Sequence, residues 1–304
     1  MLVKSNAQVP MNFDAQIAII VDTVAGHPNT GFVNSIGTNA RFGLPTGAVI
    51  DASGDVIVVD QFNNCIRKVT PGGAVTTLAG SITGFADGTG PVARFSSPHS
   101  VAVDYSTRNF FVTDTVNHRI RKVTPNGVVN TLAGSGTSAF ANGAGTGASF
   151  SHPRGIAVDS STGDVIVADT HNYRIRKVTP GGVVTTLAGS GWASLVDGTG
   201  TDARFALPFG LAVGSTGNVI VADTYNNCIR KVTPGGVVTT LAGSGAIGFV
   251  DGEGTAALFG HPYSVAEDSS NTIYITDTGN HLIRKLTPDG VVKYFCRNRS
   301  ELDN

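Results

Sequence analysis

The chain has 304 residues, a formal net charge of −1 and only 14% charged residues. A charge this close to zero creates no global field that would favour nucleic acid or an anionic membrane surface. The apolar content of 41% excludes a disordered chain, and 39 glycines among many Val and Thr residues indicate short strands joined by turns. No apolar run is long enough to span a membrane, and residues 1–20 lack a signal-peptide core. The default expectation is a cytoplasmic protein.

The first predicted element is an apolar run at residues 17–26, IAIIVDTVAG. It resembles VVTTLAG at residues 183–189, which ends a repeated unit further along the chain. The run is therefore predicted to be a fourth, outer strand without the three strands that precede it elsewhere.

A repeat of 54 or 55 residues follows. Its clearest phrase is Ile-Arg-Lys-Val/Leu, which places arginines at Arg67, Arg121, Arg176, Arg230 and Arg284. The third copy contains four β-rich runs at residues 155–159, 164–169, 174–179 and 183–187, separated by Gly- and Pro-containing turns. Four strands per unit, which bury both faces only when neighbouring units stack, predict a β-propeller.

The connectors between the repeats share a second sequence motif, here called the connector code. It consists of an apolar residue, then Asp/Asn-Gly-x-Gly, then Ala-Arg-Phe and Pro. The apolar residues are predicted to be plugs between blades: Phe32, Phe85, Phe140, Leu195 and Phe249. The Asp-Gly pairs are interpreted as turns rather than as metal-binding loops.

The strings ADTxNxxIRKVTPGG and GFxDGxGxxARFxxPxGxAVD resemble the NHL repeat family. The resemblance covers residues 17–296, with tails at 1–16 and 297–304, and implies a propeller domain. It also implies several classes of function, because NHL propellers include protein and RNA platforms, extracellular modules and occasional enzymes.

Blade number is left open by the repeat count. The chain has five complete units plus the outer strand at 17–26, whereas the family usually has six blades. A ring of five four-stranded blades is favoured, because closure protects strand edges; an incomplete six-bladed ring is the alternative.

Repeated polar residues are predicted to build the scaffold. An aspartate ends each second strand, an arginine lies on each third strand, and an asparagine lies between them. Their equal recurrence favours ion pairs over a ring of phosphate-binding cations. Cys65 and Cys228 occupy equivalent positions of different blades, so no disulfide is predicted.

Positions at which the repeats differ are the candidate binding residues. One set follows the Pro that opens each inner strand and should surround the mouth of the central channel: Thr46, His99, Arg154, Phe209 and Tyr263. A second set lies between the second and third strands: Phe62, Val116, His171, Tyr225 and Gly279. Both sets are expected on one face, where a concave mouth with convergent polar groups is the default ligand site.

The second and third repeats are richer in cationic groups, with Arg94, His118, Arg119, His152, Arg154, His171 and Arg174. The first and fourth repeats carry aromatic residues, namely Phe62, Phe209, Tyr225 and Trp192. Such a face suits an acidic partner or a peptide carboxylate. The sequence therefore predicts a non-catalytic scaffold for a protein or peptide partner, with no cofactor and no defined oligomeric state.

Two alternatives remain. The segment Ser-Pro-His-Ser-Val-Ala-Val at residues 97–103 resembles the histidine motif of the NHL-like peptidyl-α-hydroxyglycine amidating lyase, which implies His99 as a zinc ligand. The equivalent positions in the other repeats are not histidine, so a metal-dependent lyase or lactonase is disfavoured, with His99, His152 and His261 as weak ligand candidates. Single-stranded RNA binding on the same face is disfavoured because ten of the 21 Lys and Arg residues belong to the repeated Arg-Lys pairs.

Overall fold

The computed structural model describes residues 22–295, which form five antiparallel blades arranged as an all-β five-bladed propeller. The first blade contains β1 (Pro45–Ile50), β2 (Val56–Asp60), β3 (Cys65–Val69) and β4 (Val75–Gly80). The second contains β5 (Gly88–Thr89), β6 (Pro98–Val103), β7 (Phe110–Asp114), β8 (Arg119–Val123) and β9 (Val128–Ala133). The predicted fold class is confirmed.

The remaining blades repeat this plan. The third contains β10 (Gly143–Ala144), β11 (Ile156–Val158), β12 (Val165–Asp169), β13 (Arg174–Val178) and β14 (Val183–Ala188). The fourth contains β15 (Gly198–Thr199), β16 (Pro208–Val213), β17 (Val219–Asp223), β18 (Cys228–Val232) and β19 (Val237–Ala242). The fifth contains β20 (Gly252–Glu253), β21 (Pro262–Glu267), β22 (Ile273–Asp277), β23 (Leu282–Leu286) and β24 (Val291–Tyr294).

In the described part of the chain, helix is limited to single 3₁₀ turns. Five lie in the connectors, at Gly37–Asn39, Gly90–Val92, Gly145–Gly147, Gly200–Asp202 and Gly254–Ala256. Three lie between second and third strands, at Thr170–Asn172, Thr224–Asn226 and Thr278–Asn280. Within residues 22–295, no helix has the length and hydropathy needed to cross a bilayer.

Each connector adds to the outer edge of the blade that follows it. The short strands β5, β10, β15 and β20 pair with β9, β14, β19 and β24, so that four of the sheets have five strands. At the first blade the corresponding contact is a single bridge between Ile36 and Ala74. The connectors are therefore held to the blades by strand pairing and are part of the sheets.

A buried ion pair anchors each connector to its blade. In the third blade, the Asp169 carboxylate accepts hydrogen bonds from Arg176 Nη1 at 2.7 Å, Asn172 Nδ2 at 2.9 Å and the Ser151 backbone N–H at 2.7 Å. The Nη2 group of Arg176 donates to Asn142 Oδ1 at 2.8 Å. Both partners of the pair are fully buried, as they are in the other four blades. The predicted structural role of the Asp and Arg series is thus observed, with every pair inside one blade.

The Asx residue of the connector code has a role beyond the turn that the sequence predicts. In each blade its side-chain oxygen accepts a hydrogen bond from the buried arginine at 2.7–2.8 Å; the five residues are Asn34, Asp87, Asn142, Asp197 and Asp251. Each of these side-chain oxygens is therefore a hydrogen-bond acceptor for the buried arginine of its blade, which is a structural role.

The plugs between blades differ from those that the sequence predicts. Phe32, Phe85, Phe140 and Phe249 are between 43% and 56% exposed. The fully buried rings belong to the Ala-Arg-Phe segment, at Phe95, Phe150, Phe205 and Phe259. Phe95, for example, packs between Ile66 of the first blade and Val112 of the second. Three of the exposed rings instead lie against arginine side chains, those of Phe32, Phe85 and Phe140. Phe249 contacts Tyr294 edge to face.

The first and fifth blades each have an uncovered face. Neighbouring inner strands pack from β1 through β6, β11 and β16 to β21, but residues 22–295 make no comparable packing between β21 and β1. Ile283 of the fifth blade is 41% exposed, whereas the equivalent Ile66, Ile120, Ile175 and Ile229 are fully buried. On the first blade, Val56, Val58 and Phe42 line an open apolar depression. The contact expected from ring closure is thus not made within the described residues.

The two ends of the chain concern the predicted outer strand at residues 17–26, the predicted tails and the fourth strand of the last repeat. Residues 17–21 of the expected outer strand, the two tails and Cys296 lie outside the described residues. Residues 22–26 form no strand, and Val24 and Ala25 contribute to the depression on the first blade. At the other end, β24 confirms the predicted fourth strand of the last repeat.

We expect Asp169→Ala to lower the free energy of unfolding by about 3–5 kcal/mol, because it leaves the Arg176 guanidinium buried without its counter-ion. The matched control is Asp164→Ala, since Asp164 pairs with the partly exposed Lys177 at 3.4 Å and should contribute no more than about 1 kcal/mol. Urea titrations followed by circular dichroism measure both. Equal losses would show that the buried pair does not anchor the blade.

The uncovered face of the fifth blade gives a second comparison. Ile229→Ala should cost about 2–5 kcal/mol, because the side chain is fully buried between blades. Ile283→Ala removes the same atoms from the equivalent position and should cost less than about 1 kcal/mol, since that side chain is partly in water already. Thermal and urea denaturation of the two variants would test this. A large loss for Ile283→Ala would mean that the face is covered in solution.

Candidate functional site

Both sets of variable positions lie at the same end of the blades. The opening proline of an inner strand pairs with the aspartate that ends the second strand, as in Pro98 with Asp114 and Pro208 with Asp223. The residues after the proline and the loop after the aspartate therefore emerge together. We call this end of the propeller the loop face.

Four side chains from four blades meet at the centre of the loop face. His99 Nε2 lies 2.6 Å from Tyr263 Oη, and Arg154 Nη1 lies 3.4 Å from the same oxygen. Phe209 stacks on Tyr263 with ring centroids 4.8 Å apart, and the Arg154 guanidinium carbon lies 4.5 Å from the Phe209 centroid. We call these four residues the mouth cluster.

Thr46, the fifth member of the predicted first set, has a different contact. Its Oγ1 donates a hydrogen bond to the His99 carbonyl oxygen at 2.7 Å. It therefore ties the inner strand of the first blade to that of the second, beside the mouth cluster. The structure thus brings four of the five predicted residues into one side-chain cluster and the fifth against its backbone.

His99 is a neutral base in this setting. Its side chain is buried, with 7% of the residue exposed, and burial followed by repulsion from Arg154 lowers the imidazole pKa to about 4. The Arg154 guanidinium has no carboxylate partner among the described residues, in contrast to the buried Arg121 and Arg176. The mouth cluster therefore presents one uncompensated positive charge, two aromatic faces and a phenol, which together suit an anionic ligand.

Two members of the second predicted set, His171 and Tyr225, belong to further side-chain groups on the loop face. His152 lies between His171, at a centroid distance of 4.3 Å, and His118, at 4.5 Å. We call these three residues the histidine row. Tyr225 contacts His261 edge to face at 5.3 Å.

Three large rings on the blades are open to solvent. Phe62 and Tyr225, from the second set, are 67% and 57% exposed, and Trp192 is 73% exposed. Exposed rings of this size are anchors for partner surfaces when they surround a pocket.

Arg119 and Arg174, also predicted to bind a partner, hold connectors in place. Arg174 Nη2 donates to the Ser190 carbonyl oxygen at 2.6 Å, and its guanidinium carbon lies 3.7 Å from the Phe140 ring centroid. Arg119 makes the equivalent contacts with Ser135 and Phe85. Their binding role stays a prediction, but both guanidinium groups already donate to backbone carbonyl oxygens of the connectors.

The weak metal candidates are not brought together. His99 contacts Tyr263, His152 contacts the other two members of the histidine row, and His261 contacts Tyr225. Among residues 22–295, no group of three His, Cys, Asp or Glu side chains could hold a metal ion. The two cysteines in this range, Cys65 and Cys228, are free and buried, and burial raises the pKa of the Cys65 thiol to about 12.

His118 belongs to the site although the sequence places it only in the cationic sector. It occupies a left-handed position, with φ of 53°, where the first and fourth blades have Asn64 and Asn227. Asparagine is common in this left-handed conformation, so the histidine at this position was the feature of the sequence that could have identified the site. The sequence could not show that this side chain reaches the next blade.

We expect nuclear magnetic resonance titration of His99 to show a neutral imidazole at pH 5 and above. Replacing Arg154 with threonine, the residue at the equivalent Thr46 position, should raise the His99 pKa above its value near 4, because the repulsion is removed. It should remain below the ordinary value near 6.5, since burial is the larger cause. An unchanged pKa would show that the two side chains do not interact in solution.

Comparison with known proteins gives the following matches. A family model described as NHL repeat matches residues 95–123, 150–178 and 205–232. The chain is 27% identical over 274 residues to Protein SUPPRESSOR OF QUENCHING 1, chloroplastic, from Arabidopsis thaliana, a match covering 84% of this chain and 26% of that protein. It is 31% identical over 252 residues to Peptidyl-glycine alpha-amidating monooxygenase B from Xenopus laevis, covering 68% of this chain and 28% of that protein.

The chain thus spans about a quarter of the length of these two curated relatives. Among solved structures, an auxiliary nutrient binding protein from Bacteroides ovatus superposes with a TM-score of 0.62 at 23% identity. That match covers 81% of this chain and 59% of the other, and it supports the fold alone.

Proposed function

We propose a function from one premise: the chain belongs to the NHL-repeat β-propeller family. Proteins with this fold commonly act as interaction scaffolds, and fold by itself does not select a ligand. Our proposal is that the chain is a non-catalytic binding platform that holds a protein or peptide partner on its loop face, centred on the mouth cluster.

The observation that carries this proposal is the convergence of unlike side chains at the channel axis. His99, Arg154, Phe209 and Tyr263 occupy the same position of four repeats that share one sequence motif, and their unlike side chains contact one another. Clustered aromatic and arginine residues are the usual anchors of a protein interface.

A binding role also fits the charge pattern better than a catalytic one. His99 Nε2 lies 2.6 Å from the Tyr263 hydroxyl oxygen. Among the described residues, this pair has no acidic side chain hydrogen-bonded to it and belongs to no group of metal ligands. A general base needs a substrate proton within reach and a partner that orients it. The uncompensated Arg154 supplies instead an attachment point for a carboxylate.

We expect removal of the two polar anchors, in the double variant Arg154→Thr with Tyr263→Phe, to reduce partner capture about tenfold. The control is Lys122→Thr, which removes one positive charge from the part of β8 away from the loop face. Immobilised wild-type protein and both variants would be incubated with cell extract, and the captured proteins measured by quantitative mass spectrometry.

Only proteins that are lost with the double variant and kept with Lys122→Thr count as loop-face partners. Circular dichroism melting curves confirm that both variants are folded. The same set of captured proteins in all three samples would overturn the proposal.

A further inference from the structure

The histidine row forms a seam between the second and third blades. His118 Nδ1 accepts a hydrogen bond from the His152 backbone N–H at 3.2 Å, which joins the two blades. The His152 ring lies between those of His118 and His171, at 4.5 and 4.3 Å between centroids. Three imidazoles are therefore in continuous contact on the loop face.

The scaffold does not require histidine at any of these positions. In the first blade Asn64 Oδ1 accepts the equivalent bond from the Ser97 N–H at 2.9 Å, and in the fourth Asn227 Oδ1 accepts it from the His261 N–H at 3.0 Å. The position of His171 is occupied by Tyr225 in the fourth blade. Since the same backbone geometry forms with asparagine, serine and tyrosine, the fold does not depend on the three imidazoles, and they can be replaced without changing the blades.

Cations surround the row, and the nearby carboxylates face inward. Arg154 repels His152 and His171, and Arg119 repels His118. The carboxylates Asp114 and Asp169 of these blades are buried and bound to Arg121 and Arg176. His99, beyond Arg154, is itself held neutral.

Burial and these repulsions lower the pKa of all three imidazoles below the ordinary value. At neutral pH the row is therefore uncharged. A ligand that brings negative charge to the row would raise the three pKa values, and binding would then be accompanied by proton uptake.

We propose that the histidine row, together with Arg154, is a subsite for an acidic peptide segment, which it binds more tightly as the pH falls. This inference rests on the proposed function and names the chemistry of the partner. A peptide is favoured over a nucleic acid because the five repeated arginines are buried in ion pairs, and the overall charge is −1. The row and Arg154 together offer one fixed positive charge and three groups that can take up a proton, which matches a few neighbouring carboxylates.

The probe is a ten-residue aspartate peptide with a rhodamine label, whose fluorescence does not change between pH 5.5 and 7.5. Fluorescence anisotropy at constant ionic strength measures its Kd. We expect binding about tenfold tighter at pH 5.5, where the row takes up about one proton on binding. Repulsion between neighbouring aspartates raises their pKa above the ordinary value of about 3.9, so any protonation of the peptide at pH 5.5 weakens binding and opposes the expected gain.

A triple variant takes its residues from the other blades: His118→Asn, His152→Ser and His171→Tyr. It should lose the tighter binding at pH 5.5 relative to pH 7.5, because the side chains that take up the proton are absent. A melting temperature close to that of the wild type confirms folding, and His118→Asn alone serves as the milder replacement if the triple variant is unstable.

Each result decides the inference. Affinity that does not change with pH in the wild type, or changes equally in the triple variant, overturns it. Tighter binding of a ten-nucleotide single strand than of the peptide also overturns it, in favour of a nucleic-acid surface. Binding that does not depend on pH but is lost with Arg154→Thr rejects the histidine subsite and keeps the proposed platform. Absence of binding at both pH values also rejects the histidine subsite.

Discussion

The buried pair of aspartate and arginine is the interaction on which the rest of the structure depends. In each blade it joins the second strand, the third strand and the preceding connector through a single set of charge-assisted hydrogen bonds. A charge buried in this way is costly unless its partners are complete, so a blade cannot form without its connector in place. The connector ends at the opening proline of the inner strand, and the same contacts therefore determine where the loop face begins.

A scaffold anchored so completely leaves the loop face free to vary. The residue after the opening proline is fixed in position by the pairing of that proline, yet its side chain takes no part in the buried network. Five such positions around one axis bring side chains together that are far apart in the chain, as His99 and Tyr263 are. Variation at these positions changes the chemistry of the mouth without altering the blades, which is the general advantage of a binding site on loops of a rigid fold.

Three sets of arginines differ in the partners of their guanidinium groups. The five repeated arginines are neutralised by aspartates and belong to the fold. Arg119 and Arg174 bind carbonyl oxygens and cover exposed phenylalanine rings. Arg154 alone contributes to the mouth cluster, and its charge adds to burial in lowering the pKa of the neighbouring histidines. The mouth cluster and the histidine row therefore combine one guanidinium with imidazoles that are neutral at neutral pH.

The sequence by itself determined the blades, because the spacing of 54 or 55 residues, the four β-rich runs and the recurring Asp, Asn and Arg leave few other packings. It also predicted that Thr46, His99, Arg154, Phe209 and Tyr263 lie near one another, since equivalent positions of a radial repeat surround one axis. Only the tertiary structure decided which of them touch, because the distance from His99 to Tyr263 depends on the angles between blades. The same holds for the phenylalanines, since sequence showed two recurring apolar positions but not which one faces the next blade. It holds as well for Ile283, whose exposure depends on whether another blade lies beside it.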